Sequence, residues 1–260
     1  GILSAGGGRA VEEIHRRLSA LGYFVTQDTL KAELYGVPQE RRRVFFVGTR
    51  LDSSQYRLPE PTHGPGRKPL VTISKAILDL PALQILEGEE ESKYKGRPTS
   101  SYQRAMRKGA RALYNHVAPR LAPINIERLR HIPQGGSWRD IPVELLPAGM
   151  KKARRCDHTK RYGRLHPDGL ASTILTKCDL HWGAYIHPEQ ERTLTVREAA
   201  RLQSFPDTMR FLGPRLEQFR QVGNAVPPIL AESVARSVKR CLVQSAEDLE
   251  NECLESILVT

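Results

Sequence analysis

R-T-L-T-V-R-E-A-A-R-L-Q-S-F-P-D, from Arg192 to Asp207, and Q-V-G-N-A-V-P-P, from Gln221 to Pro228, form the stretch around which the rest of the chain arranges itself. Thr195 with Glu198 three residues later has the spacing of a capping box and predicts a helix start. Pro227-Pro228 predicts a second start, with a helix over residues 229–240. Gly223-Asn224 between them reads as a turn. A turn held at a helix N-terminus leaves backbone N–H groups facing outward, which suits a ligand carboxylate or phosphate. On local pattern alone the stretch is two capped helices and a turn, so its function has to be argued from the rest of the chain.

Charge narrows the partners. Forty Lys and Arg against twenty-nine Asp and Glu leave a formal +11, which favours a polyanion, nucleic acid ahead of a membrane surface. No apolar run is long enough to cross a bilayer. Cys156, Cys178, Cys241 and Cys253 make neither a C-x-x-C pair nor a disulfide framework, so a reducing compartment is expected. The chain opens on Gly1 where a start Met would stand, which suggests that the natural N-terminus lies upstream or was processed.

Arg9 to Leu21 reads as an amphipathic helix with Val11, Ile14, Leu18 and Leu21 on one face, stopped by Gly22. Gly6-Gly7-Gly8 before it lacks the buried strand that a phosphate loop requires. Tyr23 to Thr26, Leu30 to Tyr35 and Val44 to Val47 are strand candidates, the last apolar on both faces as in a sheet covered by helices on both sides. They are too little sheet to stand alone, so the remainder is expected outside this sequence. Ahead of the third candidate stands G-V-P-Q-E-R-R-R. If it is extended, Gln39, Arg41 and Arg43 share a face, an amide and two guanidiniums suited to phosphate oxygens or a base carbonyl.

G-V-P-Q-E-R-R-R-V-F-F-V-G resembles the Q-x-R-x-R motif of the DNA (cytosine-5) methyltransferases. The resemblance continues in that family's order through a recognition region, then R-L-H-P-D-G-L-A-S-T-I-L-T, then H-P-E-Q-E-R-T-L-T-V-R-E-A-A-R-L-Q-S-F-P-D, then V-G-N-A-V-P-P. It implies an α/β fold: the C-terminal portion of a Rossmann-like S-adenosylmethionine-dependent methyltransferase sheet plus a smaller, mostly irregular target-recognition domain. Residues 1–50 would belong to the catalytic domain, 51–165 to a connector and the recognition region, 166–242 to the catalytic domain again, and 243–260 to a tail helix. That helix is expected from Leu249, Cys253, Leu254 and Ile257 at helical spacing.

The departures are as informative. The family's Gly-rich cofactor loop, Pro-Cys-Gln nucleophile and Glu-Asn-Val element lie ahead of Q-x-R-x-R, and no cysteine here follows a proline or precedes a glutamine. The sequence therefore looks like the C-terminal part of such an enzyme, with an upstream catalytic segment on the same chain or on a partner polypeptide.

Residues 53–69 turn to Pro, Gly and Ser, as a connector does, residues 72–80 have helix spacing, and residues 87–95 are charged and expected at the surface. Arg104, Arg107, Trp138 and Arg139 stand out in a region that mixes basic, polar and aromatic residues around the Gln134-Gly135-Gly136-Ser137 loop, which suits reading base edges in duplex DNA. Trp138 read alone is equally a core residue. Cys156, His158, Cys178 and His181 are zinc ligand types at an uncommon spacing, and the resemblance implies no metal.

Cytosine C5 is a poor nucleophile, and the resemblance implies a thiolate added at C6, attack on the methyl group of S-adenosylmethionine and a base swung out of the helix. On that basis Arg41 and Arg43 hold the cytosine O2 side and the adjoining phosphate, Gln39 and Thr173 support the DNA backbone, and Gly223, Asn224, Ala225 and Val226 approach the cofactor. An intracellular protein of the bacterial cytoplasm or nucleoid, or of the eukaryotic nucleus, follows. Three other readings share these residues: a non-catalytic DNA-binding or regulatory module, an RNA cytosine methyltransferase, and a structural module whose basic charge is incidental.

Overall fold

The computed structural model describes residues 2–50 and 56–258, with side chains described through residue 243. A kinked 3-10 segment, Ile2–Gly8, leads into α1 (Arg9–Ala20), whose C-cap is Leu21, with Gly22 at φ +81° behind it. β1 (Phe24–Lys31) and β2 (Arg42–Thr49) pair antiparallel, Leu30 opposite Arg43 and Phe24 opposite Thr49. The strand expected over residues 30–35 stops at Lys31 and turns into a 3-10 helix, Ala32–Tyr35. The Ala32 amide donates to the Arg41 carbonyl at 2.8 Å and closes the chain back on itself. Val44 to Val47 are half-buried, because β2 has a single strand partner and α1 covers one face, with His15 edge-on to Phe46 at 5.9 Å.

Downstream come α2 (Ile73–Ile77), β3 (Gly88–Ser92), α3 (Ser101–Arg107), β4 (Leu113–Val117), α4 (Pro123–Arg130), α5 (Ala148–Lys151), β5 (Gly163–Arg164), β6 (Ala184–Ile186), α6 (Val196–Leu202), α7 (Arg215–Asn224) and α8 (Pro228–Leu258). The sheets of the described residues are two-stranded: β1–β2, β3–β4 and a parallel β5–β6. The charged residues of β3 are exposed, yet they pair with buried β4. The tail expected to form its own helix continues α8 without a break, and its apolar stripe at residues 249–257 lies outside the described side chains. Residues 51–55 of the connector also lie outside the described residues. No described helix is long and apolar enough to cross a membrane.

Three apolar clusters organise the packing. The main one joins α2, α3 and β4 to Ile174, α6 and α7 through Ile73, Ile77, Leu113, Leu194, Leu202 and Val222. A second gathers Leu129, Trp138, Met150, Tyr162, Leu180 and Ile186 around the recognition region. A third sets Leu30, Tyr35 and Val37 against Leu230 of α8. The sequence boundary at residue 165 therefore does not coincide with a boundary between cores, since α2, α3 and β4 share one with α6 and α7.

That sharing follows from α6, every residue of which is buried. Its capping box forms as expected, Thr195 Oγ1 accepting from the Glu198 amide and the Glu198 carboxylate from the Thr195 amide. A buried carboxylate needs a partner in place of water. Arg192 supplies a two-pronged pair to Glu198 at 2.8 and 2.6 Å. Arg201 does the same for Asp207, both bonds at 2.5 Å, and reaches Asp79 at 3.2 Å. Arg197 donates to the Tyr114, Pro206 and Met209 carbonyls.

His187 and His116 lie within this charged interior. Burial pushes His187 down to about 4 although Glu198, 3.7 Å away, pulls it up. Burial also lowers His116. Both are neutral when folded, whereas in the unfolded chain they take up protons near the ordinary value of about 6.5. Acid therefore favours the unfolded chain: stability present above about pH 6.5 is lost as the pH falls towards 4. Urea melts from pH 7 to pH 4 should lose on the order of 3 kcal/mol for His187 alone. In His187→Asn the slope over this window should shrink; an unchanged slope contradicts the assignment.

Candidate active-site cleft

Gln39 and Ala171 form a parallel bridge that brings the Q-x-R-x-R segment alongside residues 171–174. The Ala171 amide donates to the Pro38 carbonyl at 3.1 Å, and the Glu40 amide to the Ala171 carbonyl at 2.9 Å. Thr173 Oγ1 adds a bond to the Glu40 carbonyl at 2.8 Å, and Tyr185 Oη donates to the Thr173 carbonyl at 3.0 Å. The alternation expected from an extended backbone holds: Gln39 and Arg41 point inward, Arg43 is half-buried, and Glu40 and Arg42 face solvent.

Their roles differ from the expected ones. Gln39 is wholly buried. Its amide nitrogen donates to Gln203 Oε1 at 2.6 Å and the Leu202 carbonyl at 3.1 Å, and its oxygen accepts from the Ile174 amide at 2.8 Å. It has nothing left to offer DNA. Arg41 is 2% exposed, and no carboxylate among the described residues pairs with it. Its guanidinium donates to three backbone carbonyls, Ile174 at 2.9 Å, Gly223 at 2.7 Å and Ala225 at 3.1 Å. Burial, with a smaller push from the Arg43 charge, lowers it to about 10, so it stays charged at neutral pH. Arg41 is thus a clamp between Q-x-R-x-R and the closing motif, reaching the cleft wall only through the sliver of surface it leaves exposed.

Gly223 and Asn224, expected as a turn, instead form the last turn of α7, and the chain reverses at Ala225, which is extended. Helix ends leave carbonyls without intrahelical partners, and a cation there also meets the negative end of the helix dipole. Arg41 fills both needs, and Gln203 Nε2 adds bonds to Val222 at 2.9 Å and Ala225 at 3.1 Å. Gly223 is required by proximity, since a Cβ there would lie 2.4 Å from the Leu175 backbone. The Ile229 amide at the start of α8 is taken by Ser204 Oγ at 3.3 Å, which removes one of the donors expected to face an anion. Asn224 and Val226 remain exposed, and Ala225 is half-exposed.

Above the clamp lies a cleft of about 470 Å³ lined by Glu33, Glu40, Arg41, Arg42, Arg43 and Thr173. Arg43 donates to the Arg42 carbonyl at 2.8 Å, and burial lowers its pKa. Arg104 and Arg139 are exposed, Arg139 with one bond to Ser137 Oγ at 3.1 Å. Arg107 and Trp138 correct the DNA-facing expectation. Arg107 is paired with Asp79 at 2.6 Å and stacked 4.0 Å over Tyr94, while Trp138 is 3% exposed in the second core. Both sit where the surrounding fold needs them as packing.

The described residues hold no cluster of three metal-ligating side chains. Cys156 is exposed, Cys178 and Cys241 are buried, and none of the three lines the cleft. Burial pushes the Cys178 thiol far above its ordinary range, the opposite of an activated nucleophile.

Residues 1–240 match the family model described as C-5 cytosine-specific DNA methylase. The chain belongs to that family. Its methyl donor is S-adenosylmethionine, and its fold is the α/β methyltransferase fold. Type II methyltransferase M.AgeI of Thalassovita gelatinovora is 32% identical, the match covering 92% of this chain and 71% of the relative. DNA (cytosine-5)-methyltransferase 1 of Mus musculus is 30% identical over 90% of this chain but only 20% of its own length. Type II methyltransferase M.DdeI of Desulfomicrobium norvegicum is 34% identical, covering 86% of this chain and 56% of that protein. A solved putative DNA modification methyltransferase encoded within an E. coli prophage superposes with a TM-score of 0.65 at 23% identity, over 90% of this chain and 65% of that one. This methylase chain thus spans from a fifth to about seven-tenths of the length of these relatives.

Sequence reasoning missed Glu33 as a lining residue and Gln203 as a partner of Gln39. Glu33 carries no local signal. Gln203 lies within L-Q-S-F-P-D, but its part depends on a residue 164 positions away. The two arginines should separate in paired urea melts. Arg41→Lys, whose single ammonium cannot serve three carbonyls, should cost about 1.5–3 kcal/mol. Arg43→Lys, at the cleft surface, should stay within about 0.5 kcal/mol. Equal losses would contradict the division of roles.

Proposed function

We propose that this chain takes part in methyl transfer from S-adenosylmethionine to C5 of cytosine in duplex DNA. It would supply target recognition, the Arg43 cleft and one wall of the cofactor pocket, while the thiolate comes from a segment outside these 260 residues. The observation that carries this reading is the placement of Arg43 and Thr173 in one cleft, tied through Arg41 to the turn at Asn224–Val226. That turn suits the cofactor: an exposed amide and an exposed apolar side chain stand on backbone locked from behind. When bound, S-adenosylmethionine supplies the electrophilic methyl group.

C5 lies inside the stacked duplex, so the cytosine must swing out, at a cost of a few kcal/mol. Arg43 offers fixed positive charge where negative charge develops on the O2 side as C6 is attacked. Partial burial strengthens that interaction, because fewer waters compete for the guanidinium. Thr173, anchored on the Glu40 carbonyl, sets the opposite wall against the nucleotide backbone. Arg104 and Arg139 are exposed on the surface, where they would contact the surrounding DNA. The β1–β2 pair would complete a larger sheet with strands of the same outside segment. A protein acting on genomic DNA would work in the cytoplasm or nucleoid of a bacterium or in a nucleus.

In the assembled enzyme, Arg43→Ala should lower the methyl-transfer rate by about 100-fold, the usual loss for one preorganised donor, with far less change in cofactor affinity. Rates by radiolabelled transfer to duplex DNA and affinity by calorimetry decide it; equal losses in both would sink the assignment. The isolated 260 residues should bind S-adenosylmethionine poorly, and a micromolar affinity for them would refute the divided pocket.

A further inference from the structure

A groove of about 970 Å³, distinct in its lining from the cleft already described, runs between residues 59–68 and α8. Its first wall is anchored: Tyr35 Oη donates to the Pro59 carbonyl at 2.7 Å, Ser237 Oγ to the Arg57 carbonyl, and the Thr62 and His63 amides to the Leu34 carbonyl, each at 2.9 Å. Pro59 and Pro61 stiffen it further. The opposite wall is the face of α8 that carries Arg236, Lys239 and Arg240. Spacings of three and four residues put these on one side of a helix, over about 6 Å of its axis.

The groove is strongly positive. Arg67 and Lys68 face the three cations of α8. Two of the five have carboxylate partners: Glu60 lies 3.4 Å from Arg67, and Glu232 lies 2.6 Å from Arg236. No carboxylate of the described residues pairs with Lys68, Lys239 or Arg240, all of them exposed. Three cations without a carboxylate partner among the described residues concentrate positive potential in a walled channel.

The groove also adjoins the cleft. The 3-10 turn Ala32–Tyr35 carries Glu33 in the wall of the cleft, while Leu34, the next residue, bonds the groove wall at Thr62. The wall of the cleft and the anchor of the groove wall are therefore neighbouring residues of one short turn. A DNA strand carries one charge per about 3.4 Å of axis, and Lys68, Lys239 and Arg240 match about two or three phosphates.

We propose that this groove binds the phosphodiester backbone of duplex DNA flanking the target cytosine and so lengthens the footprint beyond the recognised bases. The inference rests on the reading of the chain as part of a DNA methyltransferase, and its test is separable from that reading. In the active enzyme, the combined variant Lys68→Ala, Lys239→Ala, Arg240→Ala is compared with wild type on duplexes whose arms beside the target site grow one base pair at a time. Wild type should bind more tightly once an arm reaches the groove, and the variant should lose that step.

On long duplexes the slope of log affinity against log salt should flatten by about 2–3 in the variant, at about 0.9 for each phosphate no longer neutralised. Methyl transfer on a duplex too short to reach the groove should be unchanged. The charge-keeping control Lys68→Arg, Lys239→Arg, Arg240→Lys should retain the step. A variant with wild-type length dependence and salt slope overturns the proposal. So does a fall in melting temperature with the length dependence intact, which would mean that protein covers the groove. A wild-type enzyme that shows the step but transfers no methyl group would refute the methyltransferase reading and leave the groove assignment standing.

Discussion

A guanidinium buried without a carboxylate is the constraint on which the site depends. Arg41 must satisfy its donors on backbone carbonyls, and those within reach belong to Ile174, Gly223 and Ala225. Meeting that demand brings Q-x-R-x-R, the Thr173 segment and the end of α7 to one point. Gln39 and Gln203 then close the network by bonding each other and the neighbouring backbone, with the Ala225 carbonyl shared between Gln203 and Arg41. The Thr173 side of the cleft and the Asn224–Val226 turn are held by the same charge and so share one support.

The same logic accounts for α6. Arg192, Arg197 and Arg201 are among the largest fully buried side chains of the described residues, each engaged by carboxylates or carbonyls. Partners for them come from β4, α2 and the loop at Asp207, and this is why segments far apart in sequence share one core. It also qualifies the meaning of the net charge. Several of the arginines behind the formal +11 are structural, so the charge available to a polyanion at the surface is smaller than the count suggests.

Local signals were legible wherever the cause was local. The Thr195–Glu198 capping box, the Pro228 helix start, α1 with Gly22 behind it and the alternation of Gln39, Arg41 and Arg43 all appear as the spacing predicts. Gly223-Asn224 did not follow its dipeptide preference, because the glycine there serves close approach to Leu175, and helical backbone tolerates it. Trp138 and Arg107 carried a chemistry suited to DNA, yet packing claimed both. An aromatic ring or a guanidinium has the same identity inside and outside, and burial is set by residues elsewhere in the chain.

The order and residues of the motifs determined the family and, through it, the methyl donor, since motifs such as the capped start of α6 and the alternating Q-x-R-x-R strand are written in local residues and their spacing. Which of those side chains reach solvent was decided by the tertiary structure alone. Arg41 and Arg43 are two residues apart and chemically identical, but one lies beneath α7 and the other at the rim of the cleft. Exposure depends on what packs above a residue, and for Arg41 that is supplied by residues more than 130 positions away.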